Sequence, residues 1–281
     1  IRGYLSPAQV DTCTEDLLRM SREASDSMQV PLALHTSQSV NEFQEMLKRH
    51  GRTPVEWLAD IGFLSEWNVL GHVIIIASSS WAQFKGDDLA ILADAGSTVA
   101  HSVWVFARRG IAMESFGEYL ERGVNMTLGT DTAPQSMIEA LRWSAVIGKI
   151  MARTTTMATA ADVFNAATLG AAKMLHRDDL GRIAPGAKAD LLFWQRDALF
   201  MVPLRDAIKN IVYNATPDDL RTVMVDGRIV LENGQPLFVD QQAANEAVQH
   251  AGERMWSEMQ AGDWARRPID DLSPATFRNW E

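Results

Sequence analysis

Val30-Pro31-Leu32-Ala33-Leu34-His35 is a short, apolar, β-prone run that ends on a histidine. Val40 to His50 follows with helical spacing, and Gly51 stops it, glycine being the residue that most easily turns left-handed past a helix end. The same couplet recurs along the chain. Val69 to Ala77, Ser97 to His101 and Val124 to Gly129 read as strands. Asp87 to Ala95 before Gly96, Glu114 to Arg122 before Gly123, and a long stretch from Pro134 or Gln135 to Arg153 read as helices. Leu89, Ile91 and Leu92, and then Phe116, Tyr119 and Leu120, supply the apolar stripes that would lie on a sheet. Strand then helix, four times over, predicts βαβ units and a parallel sheet, hence an α/β fold.

Working outward, Thr159 to Leu175 is an Ala-rich helical stretch with Thr159 as its cap and Asp162 in its first turn. The texture then changes. Gly181-Arg182-Ile183-Ala184-Pro185-Gly186 is a turn-rich link, Ala189 to Gln195 is a β run, and Thr222 to Leu231 reads as a hairpin about Asp226-Gly227. Gln241 to Met259 is an amphipathic helix with Ala244, Val248, Ala251, Met255 and Met259 near one face. Gly262 to Glu281 reads as an irregular arm packed on the surface. The expected units are residues 1–180, 181–239 and 240–281.

Composition narrows the function. The 281 residues are 47% hydrophobic and 22% charged, too apolar and too evenly mixed for a disordered chain. A net charge of −10 argues against nucleic acid as a partner, because phosphate binding wants a basic surface. The longest apolar runs, such as Val73 to Ala77, are far below the roughly 20 residues of a membrane helix. Cys13 is the only thiol, so no intrachain disulfide can form, which suits a reducing compartment and predicts a cytoplasmic protein. The chain opens on Ile1 rather than Met, with no charged-then-apolar leader.

Four polar residues fall at the C-terminal ends of the predicted strands, where α/β barrels keep their active sites. His35 ends the first, His72 lies in the second, His101 ends the third, and Asp131 follows the fourth in Leu128-Gly129-Thr130-Asp131-Thr132. Each alone has an ordinary explanation. A lone strand-end histidine is usually a hydrogen-bonded core or loop residue, and Asp131 could cap the next helix. Together, imidazoles and a carboxylate at strand ends suit a divalent metal holding a water, and the carboxylate can take the proton of that water. Ser78-Ser79-Ser80 lacks a nucleophile elbow, and Cys13 has no evident base partner.

Five pieces in order carry a family resemblance: Leu-Ala-Leu-His35, Gly71-His72, Val-Ala-His101, Leu-Gly-Thr-Asp131-Thr, and Gly181-Arg-Ile-Ala-Pro-Gly-Ala-Lys-Ala-Asp190-Leu. The chain resembles the metal-dependent amidohydrolase superfamily, closest to the branch of triazine hydrolases, cytosine and adenosylhomocysteine deaminases and chlorohydrolases. The resemblance implies that His35 is a metal ligand, and that Asp131 is a metal ligand and general base. It implies that His72 acts catalytically, hydrogen-bonding the attacking water or the substrate and steadying the developing negative charge. His101, Trp104 and Arg108 become substrate-pocket candidates, because the small polar residues usual after the seventh-strand histidine are replaced here. One divalent metal is implied, zinc first and iron second, with a small-molecule substrate and frequent homo-oligomers.

Two departures shape the functional expectation. Deaminase members usually have Glu three residues past the fifth-strand histidine; here it is Gln38, whose amide can orient a substrate but cannot exchange a proton at neutral pH. The resemblance therefore implies hydrolysis of a C–N or similar bond in an amide-like or heterocyclic molecule, with an aminated-heterocycle deaminase as the alternative enzyme. The second departure is that no two of the six histidines are separated by one residue, so the first-strand His-x-His ligand pair has no counterpart. Eight βα units need roughly 200 residues or more, while about 175 residues here are shared among four strands. The expectation is the C-terminal half of a (β/α)8 TIM-type barrel, strands 5–8, with part of a small β-sandwich and a helical tail. Asp11 to Met28 would be the helix leading into the fifth strand. As it stands the chain would be a catalytically incomplete piece or a non-catalytic half-barrel. It would pair with itself or with the missing half through an open edge at the Leu32 to His35 strand.

Overall fold

The computed structural model describes residues 3–277. The first part alternates helices and strands: α1 (Glu15–Met28), β1 (Leu32–Thr36), α2 (Val40–His50), α3 (Pro54–Asp60), β2 (Asn68–His72), α4 (Asp88–Ala95), β3 (Thr98–His101), α5 (Val103–Ala107), α6 (Phe116–Glu121), β4 (Asn125–Leu128) and α7 (Met137–Ala152). α8 (Ala160–Asn165) and α9 (Ala171–Met174) follow, joined by one widened turn over Ala166–Gly170. That turn presses on the sheet, since a Cβ at Gly170 would lie 2.1 Å from the carbonyl oxygen of Met126.

Helix starts follow the sequence chemistry. Thr14, Ser39, Thr53, Asp87, Ser115, Ser136 and Thr159 each accept a backbone N–H of their own first turn. Thr53 with Glu56 and Thr159 with Asp162 form reciprocal capping boxes. α2 ends where expected, with Gly51 left-handed at φ 65°.

The four strands pair in parallel in the order β1-β2-β3-β4. Leu34, Leu70, Val99 and Met126 fall opposite one another in register, and each is at most 2% exposed. This row meets the helices. Ala33, Val69, Gly71 and Ala100 on the other face are only half-buried.

Three expectations are corrected here. The second strand stops at His72 rather than Ala77. His72 and Val73 take left-handed φ values of 77° and 44°, and the chain folds over the end of β1, where Ile74 and Ile75 N–H groups both donate to the Ser37 carbonyl at 2.8 Å. Val73 to Ala77 is buried, but as a loop, and an apolar run alone does not separate burial from strand pairing. The edge of β1 is not open either: Leu5 bridges Leu32 and Gln9 bridges His35, both in parallel, with Ala33 N–H donating to the Leu5 carbonyl at 2.8 Å. The leading helix starts at Glu15 rather than Asp11, behind the Thr14 cap.

The second part is an antiparallel sheet of β5 (Leu191–Trp194), β6 (Leu220–Val225), β7 (Arg228–Glu232) and β8 (Gln235–Pro236), with α10 (Ala207–Tyr213) between β5 and β6. Asp226 and Gly227, at φ 48° and 78°, make the expected two-residue turn. α11 (Gln241–Gly262) is longer than expected and buries none of its residues; α12 (Ile269–Leu272) packs against it. The arm beyond Gly262 is therefore partly helical, and Trp264, at 88% exposure, is not packed on the surface. Trp280 lies outside the described residues. Among the described residues no helix is long and apolar enough to cross a membrane.

Candidate active site

The ends of β1 and β2 and the segment after β4 bring three side chains together. His35 Nδ1 lies 2.9 Å from His72 Nε2, and Asp131 Oδ2 lies 3.8 Å from the same nitrogen. The two imidazoles are nearly parallel, with centroids 5.0 Å apart. Gly71 makes this approach possible: a Cβ there would stand 3.2 Å from His35 Nδ1. His72 and Asp131 both hold φ values uncommon for side-chain-bearing residues, 77° and 60°. These are observed outliers inside the cluster, and they aim both side chains at one place.

A cleft of about 200 Å³ opens beside the cluster, lined by Tyr4, Ser6, His35, Gly71, His72 and Asp131 among others. His72 is 2% exposed, with its ring edge against Phe106. Burial, and then the neighbouring His35 and His101, push its pKa down to about 3, so it is a neutral imidazole at physiological pH. His101 is fully enclosed, packs near Phe116, and is pushed down to about 4 by burial. It stands behind the cleft rather than on its wall. Trp104 packs against Trp143 with centroids 5.3 Å apart, and Arg108 is exposed at the C-terminal end of α5. Neither lines this cleft. Gln38 reaches Gln9, its Nε2 donating to Gln9 Oε1 at 2.5 Å. His72 Nδ1, His101 Nδ1, Trp104 Nε1 and Thr132 Oγ1 are buried and have no hydrogen-bond partner among the described residues.

Sequence reasoning missed Glu42. Its carboxylate is buried and accepts the backbone N–H groups of Ser37 and Gln38, the latter at 3.0 Å, fixing the turn that follows His35. The Ser39-x-x-Glu42 spacing was the available signal. Gln9 and the cleft residues Tyr4 and Ser6 were missed because their role depends on this segment lying parallel beside β1.

The donor types at the cluster fit a divalent ion. His35 offers an imidazole nitrogen and Asp131 a carboxylate, both donor types that zinc takes, and His72 Nε2 stands 2.9 and 3.8 Å from them. The set is partial: among the described residues no group of three or more His, Cys, Asp or Glu is arranged to hold a metal by itself.

Two histidines and an aspartate thus converge at the C-terminal edge of a parallel α/β sheet, the edge where α/β barrels keep their active sites. Residues 1–230 match the family model described as the amidohydrolase family, and the chain belongs to that family. A 5'-deoxyadenosine deaminase from Methanothermobacter thermautotrophicus is 31% identical over 255 residues, covering 89% of this chain and 58% of that protein. An adenosine deaminase from Xanthomonas campestris, solved with bound zinc, superimposes with a TM-score of 0.81 at 22% identity over 90% of this chain and 57% of that one. A mutant atrazine chlorohydrolase from Arthrobacter aurescens, solved with zinc and atraton, gives 0.78 at 24% identity, covering 87% and 54%. The chain spans little more than half the length of these proteins.

Proposed function

We propose that this chain carries the water-activating residues of a metal-dependent hydrolase acting on C–N or similar bonds of a small amide-like or heterocyclic molecule. The convergence of His35, His72 and Asp131 carries the reading. His35 and Asp131 would hold the ion, with further donors completing its sphere. A bound zinc or iron ion supplies a water of lowered pKa. Asp131 Oδ2 accepts the proton released as the water attacks. Neutral His72, with Nε2 protonated, donates to the oxygen that gathers negative charge, in a site where burial strengthens that hydrogen bond. Gln38 orients the substrate without moving a proton.

Deamination of an adenosine-like ring is the second reading. The relative from Methanothermobacter, named as a 5'-deoxyadenosine deaminase, favours it, and the amide at Gln38 weighs against it. We include in the proposal a cytoplasmic location and association with a second copy or a complementary barrel half. The half-exposed face of Ala33, Val69, Gly71 and Ala100 supports the association.

Asp131→Asn tests the reading. It keeps shape and left-handed tolerance but removes the base, and should lower kcat/KM by about a thousandfold or more. Ammonia and other leaving groups are followed separately on aminated, alkoxylated and chlorinated heterocycles, with zinc or iron supplied. Metal analysis is expected to show weak binding to this chain alone. Undiminished turnover in Asp131→Asn, or one tightly held ion per chain that survives loss of both His35 and Asp131, overturns the assignment.

A further inference from the structure

A chain of polar side chains beside the cluster is not used by the mechanism above. Gln9 is bridged to His35, so the two residues lie side by side at the sheet edge. Gln9 Nε2 donates to Asp11 Oδ1 at 2.7 Å, and Gln38 Nε2 donates to Gln9 Oε1 at 2.5 Å. The direction of this chain follows from chemistry. An ionised carboxylate only accepts, so Asp11 fixes the amino group of Gln9 toward itself. The carbonyl of Gln9 then faces Gln38, and only the amino group of Gln38 can meet it. Gln38 Oε1 is left turned away from Gln9 as an acceptor. The main chain of Gln38 is fixed as well, because Glu42 accepts the N–H groups of Ser37 and Gln38 while Ser37 sits left-handed at φ 54°. Neither end of Gln38 is free to flip.

We propose that Asp11, acting through Gln9, is the positioning residue that sets the amide polarity of Gln38, and that the site therefore takes a substrate presenting an N–H donor, on an amino group or a ring nitrogen, to Gln38 Oε1. The positioning role stands on the structure alone; the substrate class rests on the hydrolytic reading above. A departure that looks like a simple loss of a proton carrier thus becomes a recognition device. The hydrogen bonds run from substrate to Gln38, from Gln38 to Gln9, and from Gln9 to Asp11, each donor finding an acceptor.

Asp11→Asn is the test, because it keeps the side-chain shape and lets the chain reverse. The Arg49 guanidinium bonds the Asp11 backbone carbonyl, so that contact survives the change. The full chain is labelled with 15N-glutamine, and the side-chain amide pairs of Gln9 and Gln38 are assigned by their loss in Gln9→Met and Gln38→Met. Asp11→Asn should move both pairs and speed the solvent exchange of both, with thermal midpoint and circular dichroism unchanged. A Gln38 pair left at its wild-type position overturns the relay. In kinetics, Asp11→Asn should raise KM about tenfold for N–H-bearing substrates, with kcat within about twofold, and leave KM for their N,N-dialkyl analogues unchanged. Equal effects on both substrate sets overturn the assigned substrate class. If the wild type, supplied with metal and with a complementary barrel half, turns over no substrate, the hydrolytic reading fails while the amide spectra still decide the relay.

Discussion

In the parallel sheet Leu34, Leu70, Val99 and Met126 are each at most 2% exposed, whereas in the antiparallel sheet Leu192 and Phe193 stand 56% and 47% exposed. Both sheets have four strands and comparable apolar content along them. The difference is what lies on their faces. α4, α6 and α7 bury apolar side chains around the first sheet, while among the described residues no strand residue of the second is fully buried. Function follows this division. His35 and His72 end strands of the packed sheet, and Asp131 follows another, so the packed core fixes their backbone and encloses His72, while the side chains of His35 and Asp131 stay exposed. A site needs that fixity, because small misplacements of reacting groups are expensive in rate. The looser sheet carries none of the cluster.

The largest effect that would break this contrast is a cavity in the packed sheet. Leu70 is fully buried at the centre of β2, two residues before His72. Leu70→Ala should lower unfolding stability by about 3 kcal/mol or more, and should loosen the cluster as well. Urea denaturation measures the first and the His72 imidazole NMR linewidth the second. A loss below about 1 kcal/mol would mean that this sheet collapses around the gap, and that its rigidity is not what holds the site.

How far the sequence announced each region follows from range. α2, with its limits at Val40 and His50, and the Asp226-Gly227 hairpin are set by local chemistry, and both were legible. The strand-end histidines were legible because position in a repeated βα unit is itself a signal. The end of β2 was not, because a left-handed His72 in front of five buried apolar residues reads the same as a longer strand. Gln9 and Asp11 were not, because nothing local says that residues 5–10 run parallel beside β1. Glu42 was not either, because the sequence places it only in the first turn of α2. Only the fold shows its carboxylate turned inward under Ser37 and Gln38.

Glu42 sharpens the comparison by pH. Burial raises its pKa from 4.5 to about 7, against the opposing pull of the two backbone N–H groups. Between those values the folded chain holds a proton that the unfolded chain has released, so stability falls as pH rises from 4.5 to about 7 and is level above. The full difference is at most about 3 kcal/mol. Glu42→Gln should remove this part of the slope. Urea midpoints of wild type and Glu42→Gln at pH 5 and pH 8 give the difference directly, and equal slopes in the two proteins would place Glu42 in a wetter site than the structure gives it.

The smallest effect belongs to the second sheet. Gly227 holds φ 78° in the β6–β7 turn, and its missing Cβ faces open space, so only backbone conformation opposes a side chain there. Gly227→Ala should cost about 1 kcal/mol. The more telling readout is where that loss appears. If the second sheet opens as its own unit, hydrogen exchange quickens for the N–H groups of β6 and β7 while those of β1 to β4 keep their rates. If exchange quickens equally in both sheets, the two unfold together, and the exposed apolar faces of Leu192 and Phe193 must then be tolerated by a sheet that draws its stability from the packed one. The first outcome makes the hairpin a satellite whose loss leaves the His35–His72–Asp131 cluster standing. The second makes even this distant turn part of what holds the site.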